Sequence, residues 1–192
     1  MIGGGVRISN AVDEYRELAT RLKMPSFPTW NATDTVTSDF EYYGGRIGTY
    51  GGAGRNLGIQ NSDLLMAIGS RIPGRITGGN LNSFARGAKK YLVDVDEALL
   101  QRKLQQVPFD ESIYCDAKIF INRFLQKLDN LNKPLPDYSK WTEIVMEWKR
   151  KYHPVISSYF EDQDYVHPYA FMKILSEKVD KNAIHVGDHG GT

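Results

Sequence analysis

Among its 192 residues the chain holds a single cysteine, Cys115, so no internal disulfide can form. That usage fits a reducing compartment and sets a cytoplasmic location as the expectation. Four scattered histidines beside one cysteine give none of the paired spacings that hold zinc. No apolar run approaches the ~20 residues needed to cross a bilayer, so a membrane partner is not expected. No apolar leader follows Met1, whose next residues are Ile2 and three glycines. A surplus of either charge is also missing: 24 Lys and Arg stand against 23 Asp and Glu, with no basic stripe of the kind nucleic acid requires. Internal repeats and low-complexity segments are absent.

What remains is 41% hydrophobic residues, enough for a sizeable core, and 18 glycines that punctuate it. The spacing of Ala11, Val12, Tyr15, Leu18, Ala19 and Leu22 predicts a helix over 10–22, with Ser9 or Asn10 able to cap it. A short strand near Ser26 to Trp30 follows, then a long polar stretch, 31–61, dense in glycine, with a short helix inside 53–60. Residues 63–69 and 89–96 are apolar on both faces, as strands of a buried parallel sheet are. Residues 116–131 read as an amphipathic helix carrying Phe120, Ile121, Phe124 and Leu125 on one face. Further helices are expected over 140–152, with Trp141, Ile144, Val145 and Trp148 on one stripe, and from Pro168 to about Val179, with Ala170, Phe171, Ile174 and Leu175 inward. A short strand at 183–186 closes the chain. Strands alternating with helices predict an α/β fold, a Rossmann-like parallel sheet with helices on both faces. Both ends read as cut from a longer chain, since 2–5 resembles the close of a strand entering a glycine turn and 188–192 stops in mid-turn.

Several local patterns occur in order: Gly3-Gly4-Gly5, Gly48-Thr49-Tyr50-Gly51, Asn61-Ser62-Asp63-Leu64-Leu65, the stretch Gly69-Ser70-Arg71-Ile72-Pro73-Gly74-Arg75-Ile76-Thr77-Gly78, and Val93-Asp94-Val95-Asp96. Together they resemble the central domain of thiamine-diphosphate-dependent enzymes of the acetolactate synthase family. The likeness runs over about residues 2–131, and the string from Asp63 to Gly78 is its most specific part. Three places differ: Ile72-Pro73-Gly74 stands where the family often has Phe-Asp-Asp, Thr49-Tyr50 where it has Met-His, and Pro28 to Ala32 lacks the glycine of a Thr-Thr-x-x-Gly segment.

The resemblance implies a layout of a nucleotide-binding-like central domain over 1–133, a helical linker over 134–167, and the start of the thiamine-diphosphate-binding domain over 168–192. The full-length parent would hold thiamine diphosphate and Mg2+, decarboxylate a 2-keto acid such as pyruvate, and join the product to a second carbonyl. It would assemble as a homodimer or homotetramer and serve branched-chain amino acid biosynthesis. The activating glutamate and the metal motif of the family fall outside this sequence, so no catalytic or metal residue is expected in it. In the family the central domain binds FAD. Carried over position by position, the implied cofactor contacts are Gly4, Thr29, Trp30, Gly48, Thr49, Tyr50, Gly51, Gly69, Ser70, Arg71, Asp94, Val95 and Asp116. Gly190, Gly191 and Thr192 would be the first edge of the thiamine-diphosphate site.

The chemistry of several positions suits that role. Glycines let backbone N–H groups approach a pyrophosphate. Arg71 can give charge-assisted hydrogen bonds to a phosphate or a flavin oxygen. Asp94 at a strand's carboxyl end can accept from ribose hydroxyls. For Asp94 and Asp96 capping of the following helix is an equal alternative. At the level of the chain, an autonomous dinucleotide-binding module and a ligand-free scaffold stand as alternatives. In the enzyme-fragment reading and in the scaffold reading the flanking domains of the parent are its partners.

Overall fold

Two apolar runs without glycine or proline, Leu64-Leu65-Met66-Ala67-Ile68 and Tyr91-Leu92-Val93, form the middle of a parallel sheet. The structure of the chain, a computed structural model, describes residues 1–49, 51–101, 107–161, 164–180, 182–184 and 186. Strands β1 (Leu64–Ile68), β2 (Lys89–Asp94) and β3 (Glu111–Tyr114) lie side by side in that order, all parallel. Beyond β1 the sheet continues through bridges one residue long, Ile2 pairing with both Ile68 and Pro28, and Ser26 with Tyr43. The backbone bonds are those of a full ladder: Ile68 N donates to Met1 O at 3.1 Å, Gly3 N to Ile68 O at 2.9 Å, Ile2 N to Phe27 O at 3.0 Å and Thr29 N to Ile2 O at 2.9 Å. Across the sheet the order is therefore Tyr43, Ser26 to Pro28, Ile2, β1, β2, β3.

Alternation along each strand feeds two cores. Leu65, Ala67 and Leu92 face one side, where they join Phe27, Ile59 of α3 (Ala53–Gln60) and Val145 of α7 (Ser139–Lys151). Ile2, Ile68 and Val93 face the other, with α1 (Gly4–Ile8), α2 (Val12–Leu22) and α6 (Ala117–Asp129) laid over them. This is the expected α/β sheet covered on both faces. A β-carbon on Gly54 would fall 2.3 Å from the carbonyl oxygen of Trp148, so α3 and α7 touch backbone to backbone. Two short helices, α4 (Gly74–Thr77) and α5 (Glu97–Leu100), follow β1 and β2.

The chain divides into two compact units, 1–152 and 153–192. The stretch read as linker contributes α7 to the first. The second holds a 3-10 turn, Ser157–Phe160, and α8 (Pro168–Lys178), opened by Pro168 as its composition predicts. There His167 Nδ1 accepts from Tyr169 N at 3.2 Å, and its ring stacks on Tyr159 with centroids 3.6 Å apart.

Several expectations need correction. The first long helix starts at Val12 instead of Asn10, because Asn10 sits at φ 55°, and no side chain of Ser9 or Asn10 caps it. The strand near Ser26 to Trp30 is reduced to the bridges at Ser26 and Pro28, and Trp30 already opens a 3-10 turn, Trp30–Ala32. The second strand ends at Asp94, where Asp94 Oδ1 accepts from Asp96 N at 3.0 Å and turns the chain. On α7, Ile144 is exposed while Val145 is fully buried; on α8, Phe171 and Ile174 are exposed and Ala170 alone of the expected set is fully inward. Strand β3 has no counterpart in the sequence reading. In the expected strand over 183–186, position 185 lies outside the described residues, and Ala183, Ile184 and Val186 belong to no strand.

Candidate nucleotide cleft

In a parallel sheet every strand delivers its carboxyl end to the same rim, and the loops leaving that rim form a crevice. Here the loops after Ile2, Pro28, β1, β2 and β3 enclose a cleft of about 820 Å³. Its floor is the crossing of two glycine turns. Gly69 adopts φ +60°, and a β-carbon there would lie 2.7 Å from the Gly5 Cα; one on Gly3 would lie 2.1 Å from the Gly69 carbonyl oxygen. Side chains are excluded from that crossing, which brings bare backbone to the bottom of the cleft.

Nine of the implied contacts line this cleft: Gly4, Thr29, Trp30, Gly69, Ser70, Arg71, Asp94, Val95 and Asp116. Trp30 is half exposed at one end, with the Arg46 guanidinium 4.5 Å from its ring centroid. Arg71 reaches across from the β1 loop to Asp96, Nη2 to Oδ2 at 2.8 Å. Asp96 also accepts from Leu99 N at 3.3 Å through Oδ1, so it caps α5. Asp116 caps α6, its Oδ1 accepting from Lys118 N at 2.8 Å and Ile119 N at 3.2 Å. Asp94 lends Oδ1 to Asp96 N, and its Oδ2 has no hydrogen-bond partner among the described residues.

Three other implied contacts, Gly48, Thr49 and Gly51, are not brought to this cleft. Gly48 and Thr49 line a separate pocket of about 140 Å³ with Asn56, Gln60 and Phe84. Thr49 N and Oγ1 both donate to Arg75 O, at 2.8 and 3.0 Å, and the Asn56 amide pairs with Gly48 on both sides, N to Oδ1 and Nδ2 to O at 3.0 Å each. These bonds tie the 48–49 turn behind α4, so the expected shared rim for the loops at Gly48, Gly69 and Asp94 holds for the last two. Gly51 is buried against Arg46 and Ile47 and lines neither cavity. Tyr50, Gly190, Gly191 and Thr192 lie outside the described residues.

Sequence reasoning missed Arg7 and Arg75, both of which line the cleft. Arg7 pairs with Asp34 at 2.8 Å, whereas Arg75 forms no ion pair among the described residues. The signal for Arg7 was its place one helical turn beyond the triple glycine; for Arg75, its place in the most specific of the motif strings.

At the opposite, amino-terminal edge of the sheet lies an apolar cavity of about 160 Å³ bordered by Tyr15, Leu18, Phe27 and Trp141. Tyr15 Oη donates to Ser26 Oγ at 2.9 Å, and burial pushes the phenol up to about 12.

Residues 1–128 match the family described as thiamine pyrophosphate enzyme, central domain. The isozyme 2 large subunit of acetolactate synthase from Escherichia coli K12 is 39% identical over 105 residues, 55% of this chain and 19% of that protein. The acetolactate synthase large subunit of Corynebacterium glutamicum is 31% identical over 192 residues, 98% of this chain and 30% of that protein. The acetolactate synthase large subunit of Porphyra purpurea is 33% identical over 153 residues, 79% of this chain and 25% of its own length. The chain thus spans a third or less of the relatives it matches. With its parallel sheet covered on both faces and a family match over most of the first compact unit, the chain belongs to the thiamine pyrophosphate enzyme central-domain family.

Proposed function

We propose that this chain is the middle module of a thiamine-diphosphate-dependent 2-keto acid decarboxylase or carboligase of the acetolactate synthase kind, and that its rim cleft holds a nucleotide, with FAD as the first candidate. One observation carries the reading: residues from five separate stretches of sequence, chosen as FAD contacts from the resemblance, converge on one cleft at the carboxyl edge of a parallel sheet. The volume lies in the range of natural ligand sites. The donors suit the group. Trp30 offers an aromatic face for stacking, Arg71 and Arg75 line the cleft with guanidinium groups suited to a diphosphate, and Asp94 Oδ2, without a partner among the described residues, suits a ribose hydroxyl.

Within such an enzyme thiamine diphosphate supplies the carbanion chemistry when bound. The described residues of this chain have a different part in this reading. Their part is to fix a nucleotide through the cleft and, through the rigid sheet, to hold the flanking domains in register.

The purified chain tests the nucleotide half. Retained flavin absorbance after gel filtration, or saturable calorimetric heats with FAD and ADP, supports it; no uptake of either leaves the scaffold reading standing. The complete reading frame tests the rest. Acetolactate formation from pyruvate, dependent on added thiamine diphosphate and Mg2+, supports the parent activity, and a frame without the other two domains removes it.

A further inference from the structure

The cleft's charges are sorted along the rim, and that order has a consequence beyond nucleotide binding as such. Following the sheet, the loops after Ile2 and β1 bring Arg7, Arg71 and Arg75 to one half of the cleft. The loops after β2 and β3 bring Asp94, Asp96 and Asp116 to the other. The two sets meet at the Arg71–Asp96 pair. Lys118, the second residue of α6, does not offset the acidic half, since its ammonium is committed to Glu14 at 2.8 Å and to Asn10 O at 2.8 Å. Among the described residues, then, the β2–β3 half presents carboxylates and the single arginine that already neutralises one of them.

We infer that the cleft selects its nucleotide by the ribose, accepting one whose 2′ and 3′ hydroxyls are free and rejecting one that carries a phosphate at either position. This rests on the nucleotide reading of the cleft given above. With the diphosphate against the arginines, the adenosine half falls on the carboxylates. Asp94 Oδ2 there finds a hydroxyl donor in a free ribose. A ribose phosphate puts a dianion in the same place, unpaired and beside a like charge that cannot move, because Asp94 Oδ1 is held by Asp96 N. Like charges so juxtaposed are a common means of excluding the wrong partner. FAD, NAD and ADP belong to the accepted class; NADP and coenzyme A, whose riboses are phosphorylated, belong to the rejected one.

Calorimetric titration of the 192-residue chain with ADP, with 2′-phospho-ADP and with 3′-phospho-ADP, at matched ionic strength, reads the selection directly. The expected result is about tenfold or weaker binding of both phosphorylated ligands, with the gap narrowing as salt is raised. Asp94→Asn keeps an Oδ1 acceptor for Asp96 N while removing the charge, and is expected to weaken ADP through loss of its ribose acceptor while narrowing the ratio between ADP and both phosphorylated ligands. Equal binding of all three ligands by the unaltered chain overturns the inference and leaves the nucleotide reading intact. A gap that survives Asp94→Asn unchanged overturns the assignment to Asp94. No binding of ADP or FAD removes the nucleotide reading and this inference with it.

Discussion

The glycine crossing under the cleft lends itself to a graded test with three alanine substitutions. At Gly79 an added β-carbon meets nothing within 4 Å and φ is not positive, so Gly79→Ala should change stability by no more than about 0.5 kcal/mol. At Gly5, inside α1, the β-carbon falls 2.7 Å from the Gly69 Cα, so overpacking of about 1–3 kcal/mol is set against a helix-propensity gain of about 1. At Gly69 both penalties act together. The left-handed φ of +60° costs an L-residue about 1–2 kcal/mol, and the contacts at 2.7 Å with Gly5 Cα and 3.0 Å with Val6 N are with backbone that cannot swing aside. The sum is about 2–5 kcal/mol, a large part of the stability of an ordinary domain. Urea unfolding followed by tryptophan fluorescence should order the three as Gly79, Gly5, Gly69 from mildest to most severe. Should Gly69→Ala unfold within about 0.5 kcal/mol of Gly79→Ala, the tight crossing, and with it the backbone floor of the cleft, would have to be abandoned.

Tyr15 makes alkaline stability measurable. Its pKa is raised from 10.0 to about 12 by burial, so the stabilisation it brings is complete below pH 10 and is lost as the pH climbs through 12. By pH 11 the loss amounts to about 1.4 kcal/mol relative to pH 8. Tyr15→Phe lacks that decline but forfeits the bond to Ser26 Oγ, about 1 kcal/mol at neutral pH; the difference between the two proteins' urea midpoints at pH 8 and pH 11 isolates the effect, and parallel declines would refute it. Asp116→Ala should cost about 0.5–2 kcal/mol through loss of the α6 cap, read by thermal unfolding; a loss of nucleotide affinity without a stability change would instead make Asp116 a ligand contact.

Legibility from sequence followed the length and burial of each element. Strand β1 and helix α6 were plain because five or more consecutive residues repeat one pattern against the core. Strand β3 was not, because Glu111-Ser112-Ile113-Tyr114 is an edge strand of four residues in which Ile113 is the single half-buried position and the other three are exposed. The bridges at Ile2, Pro28, Ser26 and Tyr43 involve one residue each, too few to generate any period. Nine cleft-lining residues could be named from the family resemblance, six of them inside the ordered motifs, since a family pattern records where loops meet. The placement of Gly48 and Thr49 could not be, because it depends on bonds to the Arg75 carbonyl and the Asn56 side chain, and backbone partners leave no trace in residue identity.

The join at Ile2 divides the sheet into a three-strand block and an outlying pair that share one residue between them. The ladder of backbone bonds through Ile2 is unbroken, yet it is the narrowest join in the sheet. The cleft straddles that line, with Thr29 and Trp30 on one bank and Gly69 to Asp116 on the other. A ligand gripping both banks would act as a rivet, adding bonds across the seam to the few the backbone supplies.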